Sequence, residues 1–228
     1  MARVPAPDDF EELVGAPGRH ALWELTGDPR APTRRGPKRK QVYKSIADIP
    51  VEELEKTSYW TRVLPQVRTS YGHICAYLAM RIDEATGAAT IDHFEPKSKA
   101  RAKAYEWSNF RLAAALVNTF KDDAEDVLDP FEIEDGWFVL DCLTFKVEVN
   151  PELDGVLQRR IRTTIDEGLR LNNPTFCERR RYCHDRYLGI QSETDDPSEP
   201  WSLSWLESEC PFVASELRRQ GRLRSGDL

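Results

Sequence analysis

Apolar positions recur along this chain in two rhythms. A period near 3.6 runs through Leu153, Val156, Leu157, Ile161, Ile165 and Leu169 and predicts an amphipathic helix over residues 151–171. Asn172-Asn173-Pro174 stops it and opens a further helix from residue 175 to about 190. Residues 45–85 also look helical. Ser45 or Asp48 can cap, and Pro50 followed by Glu52 and Glu53 is helix-start chemistry. Tyr59, Trp60, Val63 and Leu64 cluster at helical spacing, and a second helix is expected over 65–79. Residues 80–87 read as a short strand and a turn. Shorter runs at 88–94 and 110–114 predict strands, separated by a polar loop, with helix-like sequence from Val117 onward. Residues 131–133 and 137–140 around Asp135-Gly136 predict a hairpin, and 146–149 another strand. Residues 201–217 form a last apolar segment, and Ala21 to Leu25 suggest a short helix or hook near the start.

The expected class is therefore α+β, two strands and a helix embedded in a mostly helical chain. It divides into an N-terminal arm with a basic linker (1–44), a helical lead-in and central core (45–130), and a hairpin with a C-terminal helical region (131–228). With 40% hydrophobic residues the chain can bury a core. No run approaches the roughly 18 apolar residues of a membrane span, and no apolar signal core follows Met1, so a cytoplasmic protein is expected. The five cysteines are odd in number and contain no Cys-x-x-Cys, which argues against a disulfide framework or a zinc knuckle and for buried free thiols.

A net charge of −7 counts against a non-specific nucleic-acid binder, so the placement of the cations matters more than their sum. Residues 30–44 carry seven basic side chains broken by Pro32, Gly36 and Pro37, either an arm along a nucleic-acid backbone or a solvated or partner-docking linker. Lys97, Lys99, Arg101 and Lys103 alternate along the central loop, where they face phosphates or solvent. Arg179, Arg180, Arg181 and Arg186 make either a DNA face or ion pairs with acids.

Between Ala89 and Lys121 stand Asp92-His93, Asn109 and Asn118. Histidine has the pKa of a general base near neutrality. Carboxylate and amide oxygens suit a hard cation such as Mg²⁺. On a strand, Asp92 and His93 point to opposite faces. They serve one site only if the strand ends there and the loop turns back, or if the helix packs across it. Asn109, where the loop rejoins the second strand, can bond loop backbone and hold His93. Asn118 can complete a metal site or simply cap the helix.

Ile91-Asp92-His93-Phe94 with Pro96-Lys97-Ser98, then Tyr105 to Leu112 around Asn109, then Asn118 and Lys121, then Asp129-Pro130, resembles the HNH (ββα-metal) endonuclease family in its His-Asn-Asn form. The separations of sixteen and nine residues are similar to those of known members. The likeness is to HNH subunits of Septu-type and retron-linked anti-phage systems, which are paired with an ATPase. It spans Ile74 to Asp129.

The resemblance implies a ββα-metal core. His93 would be the base, Asn109 the loop-orienting residue, and Asp92 and Asn118 the ligands of Mg²⁺ or Mn²⁺. Lys97, Lys99, Arg101, Lys103 and Lys121 would lie on nucleic acid. It also implies DNA as substrate and an ATPase-like protein partner in antiviral defence. A catalytically inactive binding or scaffold subunit, or an RNA or tRNA nuclease, are the alternatives. Relatives usually carry two Cys-x-x-Cys pairs. Here Cys75 remains while Leu78, Ala114 and Val117 stand at the other positions, so no structural zinc is expected and apolar packing replaces it.

Overall fold

The computed structural model describes residues 1–33, 41–83, 85–190 and 199–227. Its architecture is α+β, short helices around two separate two-stranded antiparallel sheets. Strands β1 (Ala89–His93) and β2 (Phe110–Ala114) pair with Asp92 opposite Arg111 and His93 opposite Phe110. All five residues of β2 are buried, so it reads as a continuous apolar run interrupted only by Arg111. Helix α4 (Ala115–Lys121) follows β2 without a break and packs on both strands. Strand, loop, strand and helix therefore follow in the expected order.

Upstream lie α1 (Ala16–Thr26), α2 (Val51–Glu55) and α3 (Leu64–Ser70). A π-helical turn, Glu11–Gly15, leads into α1. The helix expected over 65–79 is a correction: α3 stops at Ser70, where Gly72 and His73 both turn to positive φ (58° and 65°). Glycine takes that conformation freely. Beyond it the chain makes a tight knuckle. Ile74 bridges Arg81, and the Cys75 N–H bonds the Met80 carbonyl. The Ala76 N–H, in turn, reaches Leu112 on β2. Cys75, Leu78, Ala114 and Val117 are all buried in the core at the foot of this knuckle, and the Cys75 thiol accepts from the Ala114 N–H at 3.4 Å.

Downstream, β3 (Phe138–Leu140) pairs with β4 (Val147–Val149). The hairpin expected from 131–133 does not form. Asp129 accepts from the Phe131 N–H and folds that stretch into a turn, so the partner of 138–140 is the later segment. Helix α5 (Gly155–Thr163) starts four residues later than expected, because the Asp154 carboxylate caps the N–H groups of Val156 and Leu157. It passes into a π-helical turn at Thr164–Gly168. Helix α6 (Pro174–Leu188) is capped by Asn173, and α7 (Leu203–Glu209) and α8 (Pro211–Arg219) divide the last apolar segment.

One hydrophobic cluster runs from Phe10 to Leu223 and includes residues of all three expected segments. The N-terminal residues are tied into it: Arg3 donates to the Ser108 carbonyl, and the Trp107 indole donates to the Val4 carbonyl. No helix among the described residues is long and apolar enough to cross a membrane.

Candidate active site

Strand β1 ends at His93, and the loop that follows turns back over it. The His93 Nε2 bonds the Ala104 carbonyl at 2.9 Å, which assigns the proton to Nε2, and Nδ1 makes no hydrogen bond among the described residues. Trp60 and Phe110 meet the imidazole edge-on, with centroids 4.7 and 5.2 Å away. Burial among these rings pushes the imidazole down from 6.5 to about 3. The side chain is therefore held neutral in one tautomer, with one nitrogen fixed and the other carrying a lone pair.

Asn109 ties the loop together at both ends. Its Oδ1 accepts from the Glu95 N–H at 2.7 Å, and its Nδ2 donates to the carbonyls of Glu95 (3.0 Å) and Lys103 (3.3 Å). Lys103 directly precedes Ala104, so the amide fixes the carbonyl that orients His93. Phe94 closes the same end through its N–H to the Asn109 carbonyl. A small buried amide can satisfy three backbone groups that a loop of this length would otherwise leave unpaired.

Asp92 lies on the other face of β1, toward α4. The Tyr77 hydroxyl donates to its Oδ2, and the Lys121 ammonium lies 3.3 Å from Oδ1 and 3.2 Å from Oδ2. Lys121 also donates to the His93 backbone carbonyl at 3.0 Å. Burial raises the Asp92 carboxyl above the usual carboxylate range although Lys121 and Tyr77 pull it the other way. Burial, with Asp92 second, pushes the Tyr77 phenol well up, so it stays a donor. Asn118 is half-buried, one turn before Lys121 on the same helix face. It is the fourth residue of α4 and not its cap, which is Ala114. Its amide makes no side-chain hydrogen bond among the described residues.

The structure thus makes two groupings. His93, Ala104 and Asn109 form one. Asp92, Tyr77 and Lys121 form the other. They share the end of β1 and meet through the His93 backbone. For a divalent ion the second grouping is a poor fit as it stands. Both Asp92 oxygens are engaged, and a buried ammonium already neutralises them. No group of three or more His, Cys, Asp or Glu among the described residues can hold a metal.

The cations expected on nucleic acid are mostly committed within the chain. Lys97 lies 3.7 Å from Glu55 and over the Trp60 ring. Lys99 and Lys103 are the more exposed pair, near Glu125 and against Glu95 respectively. Arg101 donates to the carbonyls of Ile49 and Ser98. Lys121 is 1% exposed, so the expected phosphate contact gives way to a buried ion pair with Asp92. Residues 34–40, the centre of the basic linker, lie outside the described residues. The arginines of α6 are not a free face: Arg179 bonds Asp83 and Glu209, and Arg180 is buried.

Sequence reading missed two residues that shape the site, Tyr77 and Arg111. Nothing near Tyr77 marks it as a partner of Asp92. Arg111 had a signal, a lone charge in a buried strand. It is 1% exposed, donates from Nε to Asp129 Oδ1 at 2.9 Å, and lies between the Phe94 and Phe131 rings. Asp129 thereby clamps β2 from below the site.

No family model matches the chain, and no curated protein matches it in sequence.

Proposed function

We propose that this chain is an endonuclease of the HNH kind, hydrolysing phosphodiester bonds in DNA. The observation that carries the reading is His93: it ends a strand, is held neutral, has Nε2 fixed by a loop carbonyl, and leaves Nδ1 unbonded. The open lone pair is the geometry of a general base for water; burial holds the imidazole at about 3, so water or substrate entering the site must lift that value toward neutral pH for catalysis. Asn109 acts through the loop as a positioning residue. The unit β1–loop–β2–α4 supplies the strand–strand–helix frame, and buried apolar residues close the knuckle beside it.

In this proposal the water proton passes to His93 Nδ1 while Nε2–H stays on Ala104. Lys99 and Lys103, the exposed cations of the loop, are the first candidates for backbone contact. The resemblance further implies Mg²⁺ or Mn²⁺ on Asp92 and Asn118. That seat opens only if Lys121 leaves Asp92. An ATPase-like partner is part of the same proposal, since a freely active nuclease would damage its host.

A second reading has a specific observation behind it. The Asp92–Lys121 pair satisfies the carboxylate internally, as expected of a unit that has become a binding or scaffold subunit. Incubation of the full chain with plasmid or with RNA separates these readings, alone and with the product of the adjacent gene, with and without divalent ions. Plasmid cleavage lost in His93→Ala supports the DNA nuclease. RNA cleavage with plasmid intact moves the substrate class. No cleavage under any condition supports the scaffold.

A further inference from the structure

A cavity of about 390 Å³ lies between the knuckle of residues 74–79, the β3–β4 hairpin and helix α8. Its walls are mainly apolar, including Leu78, Leu128, Phe138 and Phe212. That volume is within the range of sites for small organic molecules. Glu134, Asp135 and Ser215 line it and are exposed, so the cavity opens to solvent beside them.

Arg180 also lines this cavity, and its electrostatics are unbalanced. The side chain is 1% exposed, yet among the described residues no carboxylate forms an ion pair with it. Its Nη1 donates to the Phe145 carbonyl at 3.1 Å and its Nη2 to the Leu171 carbonyl at 2.8 Å. A thiol, Cys177, lies 3.9 Å from Nη1, and Nε has no hydrogen-bond partner among the described residues. A guanidinium has five N–H groups and cannot shed its charge, so this is a buried cation with spare donors. Such a group is costly unless something negative meets it. One acid, Glu216, is buried in the wall of the same cavity. Its oxygens are taken by Arg219, the Leu140 N–H and Gln220.

We infer that this cavity is a binding site for a small molecule carrying a single anionic group, a carboxylate, on an apolar body. The carboxylate completes the donors of Arg180, and the body fills the apolar walls. The acids at the rim, Glu134 and Asp135, disfavour polyanions such as nucleoside phosphates. The site is separate from His93 and does not depend on the nuclease reading. It adjoins the candidate active site through Tyr77, which lines the cavity and donates to Asp92.

The test is calorimetric titration of the full chain with octanoate, octan-1-ol and octylamine, which share one apolar body. Octanoate is expected to bind about tenfold or more tighter than the other two, the increment of a charge-assisted hydrogen bond in a dry site. Arg180→Met is expected to abolish that preference. Ser215→Trp, at the exposed mouth, leaves Arg180 in place and is expected to weaken octanoate by about tenfold with an unchanged circular dichroism spectrum. Equal binding of the three probes, or none, overturns the inference. So does full octanoate binding in Ser215→Trp, which keeps the test decisive should Arg180→Met fail to fold.

Discussion

Acid sensitivity follows directly from the way His93 is buried. Burial holds the folded imidazole at about 3, against 6.5 for the free side chain. As the pH falls from about 6.5, the unfolded chain takes up a proton here and the folded chain does not, so stability falls with pH. No such contribution operates above about 6.5, and none is added below the folded value. Each pH unit inside the window removes about 1.4 kcal/mol, and two units remove about 2–3 kcal/mol from this residue alone. Glu216, buried yet held below the usual carboxylate value by Arg219, also loses stability as pH falls, so the comparison must cancel it. His93→Gln does so: the Gln amide can still donate to the Ala104 carbonyl but takes no proton. Chemical unfolding is measured for both proteins at several pH values between about 7.5 and 4.5. The wild type is expected to be the more stable at the upper end, with its advantage shrinking by about 2–3 kcal/mol at the lower end. Parallel pH profiles would refute the reasoning, because His93 would then titrate alike in both states.

Four further outcomes are expected. Asn109→Ala should cost about 2–4 kcal/mol, the sum of lost bonds and stranded loop backbone, and should expose the 95–104 loop to protease before global unfolding. Asp129→Ala leaves Arg111 buried and unpaired between two rings, and should cost about 3–5 kcal/mol in denaturant unfolding. Wild-type thermal stability should be insensitive to added Mn²⁺ while Lys121 neutralises Asp92, whereas Lys121→Ala should be destabilised and then recover when Mn²⁺ is added. Val117→Ala, at the foot of the knuckle and fully buried, should cost about 1–3 kcal/mol by removing buried apolar contacts from the core.

Much of the frame was legible because its signals are local. The runs at 110–114 and around Ile91 are short and apolar, and Asn173-Pro174 states the start of α6 in its own chemistry. What failed did so through local competition. The 65–79 segment has helical composition, but Gly72 and His73 leave the helical region, and the chain turns instead. Phe131-Glu132-Ile133 alternates like a strand, yet Asp129 captures the Phe131 N–H and makes a turn. Residue 153 lies on the apolar stripe of α5 but precedes the helix, because Asp154 supplies a cap.

The site was legible as a set of residues and not as a set of bonds. Asp92, His93, Asn109 and Asn118 could be chosen by type and spacing. Which of them acquire partners depends on contacts across long stretches of sequence. Tyr77 reaches Asp92 from the knuckle, and Lys121 comes from the last turn of α4. Helical periodicity places Lys121 on the same face as Asn118, but it does not say that the ammonium ends on a buried carboxylate. A basic residue near a candidate nuclease site reads naturally as a phosphate contact. Burial changes that reading, because an ammonium at 1% exposure has already found its anion.

The central claim is that His93 is a base for water in phosphodiester hydrolysis. It is tested most directly by single-turnover cleavage of supercoiled plasmid by the full chain with the product of its adjacent gene, comparing wild type with His93→Ala. Cleavage by the wild type is expected, with a loss of about 10²–10⁴-fold in rate in the variant, the usual worth of a general base. Cleavage at the same rate in His93→Ala, or no cleavage by the wild type with any divalent ion, would contradict it.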